Sequence, residues 1–151
     1  MRCTVTLHIT ANQFFTCIED QLLLDLKLNA RRKVQRESLT EGFSYTKEVG
    51  KGSFTVSILA YKRLELFEIQ EESDTKRSRT RYQVESLDNG CICLTMETAL
   101  LTRRVGMTLR DGKPRFDDDS NNPVLGQSAL VYRRQLKSLE RHIRKQYAVL
   151  A

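Results

Sequence analysis

Six separate stretches of this chain alternate apolar and polar residues with a period of two, and nothing else in the sequence limits its fold so strongly. Cys3, Val5, Leu7 and Ile9 alternate with Thr4, Thr6 and His8. Phe43, Tyr45 and Val49 share one face; Phe54, Val56, Ile58 and Ala60 alternate with Ser53, Thr55 and Ser57. Phe67 and Ile69 alternate with Glu68 and Gln70, and Tyr82 and Val84 with Arg81, Gln83 and Glu85. Ile92, Leu94, Met96, Thr98 and Leu100 complete the series. Side chains on a strand point to opposite faces in turn, so each stretch reads as a strand buried on one side only. Strands of a buried parallel sheet would be apolar throughout; these predict an antiparallel sheet with one wet face. Gly50-Lys51-Gly52, Ser73-Asp74-Thr75 and Asp88-Asn89-Gly90 supply the turns between them.

Two segments change period. After the capping residues Thr10 and Asn12, the residues Phe14/Phe15, Ile18, Leu22 and Leu26 fall at helical spacing, predicting a helix of about four turns. Near the end, Ala129, Tyr132, Leu136, Leu139, Ile143 and Tyr147 step by three or four, predicting a helix of about six turns over 126–147. Between the last strand and that helix, 106–122 reads as a loop, with Gly112, Pro114, the run Asp117-Asp118-Asp119 and Asn121-Asn122. The 30–36 segment is basic and without a clear pattern. The expected fold is α+β and single-domain over 1–151: a curved antiparallel sheet of about six strands wrapped around the long C-terminal helix, the helix-grip arrangement, with an N-terminal helix after the first strand. A chain of 151 residues is long enough to bury a substantial core without disulfides or metals.

The opening strand followed by Thr10-Ala11-Asn12-Gln13-Phe14-Phe15 resembles the START-like, polyketide-cyclase/dehydrase (SRPBCC) superfamily that includes the birch-pollen-allergen-like proteins. More narrowly, Phe14-Phe15, Leu22-Leu23-Leu24-Asp25, Gly42 to Lys47, Tyr82 to Asp88 and Leu94-Thr95-Met96-Glu97 are similar to a family of small Gram-positive bacterial proteins known as a domain of unknown function. The resemblance covers most of residues 1–101 and weakens across 103–122. It implies the fold and a ligand cavity between sheet and helix. The superfamily holds lipid binders, cyclases and stress proteins, so fold alone selects no activity.

The chemistry-bearing residues form few patterns. No Gly-rich phosphate loop, nucleophile elbow or paired-carboxylate motif is present, and no catalytic residue or cofactor is expected. Cys91 and Cys93 are two apart, too close for a zinc pair, and His8 and His142 lie in distant segments, so no metal is expected either. The acidic run lacks the spacing of a calcium loop. The N-terminal residues alternate where a secretory signal would be apolar, and no apolar stretch is long enough to span a bilayer, so a cytoplasmic location with reduced cysteines is expected. The net charge is +6, and from Ser120 onward six cations (Arg133, Arg134, Lys137, Arg141, Arg144, Lys145) face one acid, Glu140. These cations flank an apolar stripe that the sheet needs, so a solvated face is the reading and sequence-specific nucleic-acid binding is not expected. A homodimer is left open.

The functional expectation rests on the inner face. Alternation places Tyr45, Tyr82 and Thr98, with their hydroxyls, among apolar neighbours. A binding module for a hydrophobic or amphipathic molecule would use Tyr45, Val56, Ile58, Phe67, Tyr82, Leu94, Met96 and Thr98 from the sheet, with Tyr132, Leu136 and Leu139 from the final helix. Two alternatives stand beside it: a cyclase- or hydrolase-type enzyme using a cavity tyrosine, and a ligand-free regulatory or interaction protein whose aromatic rings fill the space.

Overall fold

The computed structural model describes residues 1–108, 114–118 and 129–150. The elements run β1 (Arg2–Leu7), α1 (Ala11–Asn29), β2 (Ser44–Val49), β3 (Gly52–Lys62), β4 (Leu66–Glu72), β5 (Lys76–Ser86), β6 (Ile92–Thr108), β7 (Pro114–Asp118) and α2 (Ala129–Gln146), with short 3₁₀ turns at Arg36–Ser38 and Ala148–Leu150. The fold is α+β. All strands join one antiparallel sheet in the order β1-β6-β5-β4-β3-β2, and β7 pairs with the far half of β6. Six of the seven strands occupy the alternating stretches of the sequence. The seventh corrects the reading of 106–122 as loop throughout: β6 runs on to Thr108 and Pro114–Asp118 pairs with it. Gly106 and Pro114 suggest breaks, but a β-ladder accepts glycine and tolerates proline at a strand's first residue. Residues 109–113 and 119–128 lie outside the described residues.

Register fixes the two faces. Val5 opposes Leu94, Leu94 opposes Val84, Met96 opposes Tyr82, Tyr82 opposes Phe67, and Tyr45 opposes Val56. These directly paired residues point the same way and form the inner face. A β-bulge between Ile58 and Ala60 shifts the parity of β3, so Tyr61, opposite Phe67, turns inward where simple alternation would place Ala60.

α1 starts at a capping box: the Thr10 hydroxyl accepts from the Gln13 backbone N–H at 3.1 Å and the Gln13 side chain accepts from the Thr10 N–H at 2.9 Å. Phe14, Phe15, Ile18, Leu22 and Leu26 are buried against the sheet. Phe14 meets Phe15 and Tyr82 edge-on at 5.7 and 5.5 Å, and Phe67 stacks on Tyr82 and meets Tyr61. α1 therefore covers the middle of the inner face, the cover expected of the C-terminal helix.

α2 lies instead along the β1 edge. Arg133 Nη2 donates to the Thr4 carbonyl at 3.3 Å, Lys137 Nζ donates to the Thr6 carbonyl at 3.0 Å, and Glu140 Oε2 accepts from the His8 N–H at 2.5 Å. Residues 133, 137 and 140 fall on one helical stripe, and each binds a backbone group of the edge strand β1 or of His8 just beyond its end. Two of the cations on this exposed face thus also cap the edge. Leu136 and Ile143 are buried beside this stripe, while Tyr132 and Leu139 pack half-buried on the core. The Tyr147 hydroxyl donates to Asp20 Oδ2 at 2.7 Å and its carbonyl accepts from Gln13 Nε2 at 2.9 Å, which ties the end of α2 to α1. Among the described residues, no helix is long and apolar enough to cross a membrane.

Candidate functional site

A pocket of about 250 Å³ opens between α1 and the inner face of β2–β5. Its apolar wall is built from Ile18 and Leu22 of α1 and from Val56, Phe67 and Ile69 of the sheet. Its polar wall is Gln21, Asp25, Tyr45, Lys47, Glu71 and Tyr82. Ile18, Leu22 and Asp25 share one side of α1 because they stand four and three residues apart. Tyr45 and Lys47 share the inner face of β2, as Phe67, Ile69 and Glu71 do that of β4.

The polar groups are linked. Tyr45 Oη donates to Asp25 Oδ2 at 2.5 Å, and Asn29 Nδ2 donates to Asp25 Oδ1 at 2.6 Å. Lys47 Nζ stands 3.2 Å from Asp25 Oδ2 and 3.4 Å from Glu71 Oε1. Burial alone would raise the Asp25 carboxyl, but the hydrogen bonds from Tyr45, Asn29 and Lys47 outweigh it and hold Asp25 below its ordinary value. Burial, then the Asp25 carboxylate, pushes the Tyr45 hydroxyl well above its own. Burial lifts Tyr82 to about 12. Both phenols are therefore protonated donors at neutral pH. The wall carries two carboxylates against one ammonium.

Of the residues expected to line a cavity, Tyr45, Val56, Phe67 and Tyr82 surround this pocket. Ile58, Leu94 and Met96 are buried in packed core, and Thr98 sits where β6 passes the N-terminus, its backbone N–H donating to the Met1 carbonyl at 2.8 Å. Tyr132, Leu136 and Leu139 lie on α2 and do not reach the pocket, which is roofed by α1. The pocket of about 250 Å³ is thus covered by α1, with none of its lining drawn from the C-terminal helix. Sequence reasoning missed Ile18, Gln21, Leu22, Asp25, Lys47, Ile69 and Glu71 as a group. Their signal was polar residues at apolar parity: Lys47 in step with Tyr45, Glu71 with Ile69, and Asp25 in helical step with Leu22.

The remaining clefts and clusters are more exposed or already paired. A wider cleft of about 620 Å³ is lined by Leu64, Glu65, Gln83, Glu85 and Ser86, which are exposed. Glu19 is buried between Arg63, at 3.2 Å, and Arg36, at 3.8 Å, while Arg36 also pairs with Asp20. His8 Nδ1 lies 3.2 Å from Cys91 Sγ. Burial pushes the Cys17 thiol up, which disfavours its thiolate. All four cysteines are free, and no group of three metal-ligating residues occurs among the described residues.

Residues 1–111 match the sequence model of the family described as a domain of unknown function, DUF3284. No curated protein matches the chain. Among solved structures, the chain is similar to protein MLL2253 from Mesorhizobium loti, at 10% identity and a TM-score of 0.55, over 97% of this chain and 98% of that one. That likeness shows the fold alone.

Proposed function

The chain belongs to the family described as a domain of unknown function, DUF3284, and from the geometry between α1 and the sheet we propose that it is a binding module for a small amphipathic molecule. The observation that carries this is the pocket of about 250 Å³ with one apolar wall and one hydrogen-bonded polar wall. Apolar enclosure supplies affinity, and a few fixed polar groups orient the ligand. The volume lies just below the roughly 300–1,000 Å³ of drug-sized sites, which favours a compact ring system over a long acyl chain. Two carboxylates against one ammonium favour a neutral or cationic polar end, and the Tyr82 hydroxyl stands on the wall as a protonated donor.

The strand–helix–strands–helix order supports reading the fold as START-like, with α1 taking a larger share of the cover than a helix-grip drawn around the C-terminal helix alone. The ring cluster of Phe14, Phe15, Tyr61, Phe67 and Tyr82 favours a second reading, a ligand-free protein whose core is largely filled.

A thermal-shift screen of neutral and cationic amphipathic compounds separates the two. A ligand at a hundred times its dissociation constant stabilises by about 2.7 kcal/mol, a rise of roughly 5–11 °C for a chain of this size. Ile69→Trp, which places an indole in the pocket, should abolish the shift while the far-ultraviolet spectrum stays unchanged. If no compound moves the melting point, or the shift survives Ile69→Trp, the binding reading is wrong and the filled core stands.

A further inference from the structure

The outward side of α1 and the segment after it combine two features that a solvated surface does not need together. Leu24 and Leu28 of α1 are 55% and 64% exposed, and Val49, in the β2–β3 hairpin, is 48% exposed. Leu28, Arg31 and Gly50 line one cleft, so the hairpin tip and the helix end sit side by side. Around these apolar groups stand exposed cations. Lys27, Arg31, Arg32 and Lys33, with Leu23 and Val34 at the base, line a second cleft of about 480 Å³, and Lys51 is exposed at the hairpin tip.

These charges are not spent on partners among the described residues. Lys27, Arg31, Lys33 and Lys51 make no ion pair with any described residue, unlike Arg36 and Arg63 nearby in sequence and space, which pair with Glu19. Arg32 lies 5.6 Å above the Phe43 ring, which orients its guanidinium without neutralising it. Glu48 is the one carboxylate lining the hairpin-side cleft. Arg31 also occupies a position that favours glycine: its φ is +51°, and around it the Arg32 N–H turns back to the Leu26 carbonyl at 3.0 Å. A guanidinium stands where the backbone alone would take a residue without a side chain.

We propose that this surface docks on an anionic lipid bilayer, with Leu24, Leu28 and Val49 entering the headgroup boundary and Lys27, Arg31, Arg32, Lys33 and Lys51 meeting lipid phosphates. Charge complementarity selects the partner. A free phosphate would satisfy the cations and leave the leucines in water. A nucleic-acid strand would call for stacking rings, and the one ring here is already held under Arg32. An interfacial site uses apolar side chains and surrounding cations at once. The inference concerns exposed side chains outside the pocket lining and does not depend on a ligand there.

Co-sedimentation of the full chain with vesicles tests it. The chain should bind phosphatidylglycerol-containing vesicles at low salt, lose binding as salt rises, and leave pure phosphatidylcholine vesicles unbound. Each cation near such a surface contributes about fivefold in partitioning, so Arg31→Gln with Lys33→Gln should weaken binding roughly 25-fold. Gln keeps the side-chain strain at position 31, so the fold is not the variable. Leu24→Ser with Leu28→Ser should weaken binding as well, with all the charges in place. No binding to anionic vesicles overturns the proposal. So does undiminished binding by the serine variant, or displacement by inorganic phosphate at matched ionic strength, either of which would assign the cations to a soluble anion.

Discussion

Replacing Tyr45 by Phe removes one hydroxyl from the pocket wall and leaves the ring that β2 buries. Tyr45 is 4% exposed, and its hydroxyl donates to Asp25 at 2.5 Å. The ring keeps its volume, so no cavity cost enters and the loss is that of one hydrogen bond to a charged acceptor, about 1.5–3 kcal/mol. Asp25 retains Asn29 and Lys47 and its side chain is 21% exposed, so water relieves part of the loss. The low end, about 1.5–2 kcal/mol, is therefore expected. The pH dependence gives the sharper test. The folded Asp25 carboxyl titrates below its ordinary 3.8, so its contribution is complete above that pH and disappears as pH falls through the folded value. The Tyr45 hydroxyl titrates above its ordinary 10.0, so the bond is whole below that pH and stability declines as pH rises beyond it. Urea denaturation of both proteins at neutral pH and well below 3.8 should show the Tyr45→Phe penalty shrinking in acid. A penalty under about 0.5 kcal/mol at neutral pH, the scale of a surface change, or one equal at both pH values, would refute the reasoning.

Glu140→Ala should cost about 1–3 kcal/mol by leaving the His8 N–H without its acceptor, and Glu140→Gln should recover most of that; amide exchange at His8 should accelerate in the alanine variant alone. Leu136→Ala should cost about 2–5 kcal/mol in urea denaturation, because Leu136 is 3% exposed beneath the β1-edge stripe. A loss near zero would mean that α2 does not pack on β1 as described.

The strands were legible because their signal is local. Each needs only its own alternation, and a strand paired on both sides keeps that alternation whatever covers it. Which helix covers the sheet is not a local property. Both helices show apolar residues at helical spacing, and the α2 stripe is the cleaner to the eye because cations surround it. The second role of those cations is hidden for the same reason. Arg133 and Lys137 look like solvent-facing residues in sequence, since nothing there says that a carbonyl edge of β1 lies opposite. Their spacing of four is as good for capping an edge strand as for facing water.

The pocket was half legible, and the missing half follows one physical rule. Tyr45, Val56, Phe67 and Tyr82 were found by taking inner-face residues that look apolar or aromatic. Lys47, Glu71 and Asp25 were passed over because a charge at an apolar position reads as noise in a hydrophobic pattern. Burying a charge is costly unless a partner is in reach, so three charges at inward parity imply that they meet. Here Lys47 bridges Asp25 and Glu71, three residues from three different elements. Had the three exceptions been read as one set, they would have located the polar wall before any coordinates. The β3 bulge marks where even that reasoning stops: an extra residue at 58–60 reverses the parity of everything after it, and Tyr61 enters the ring cluster by a shift that alternation alone cannot register.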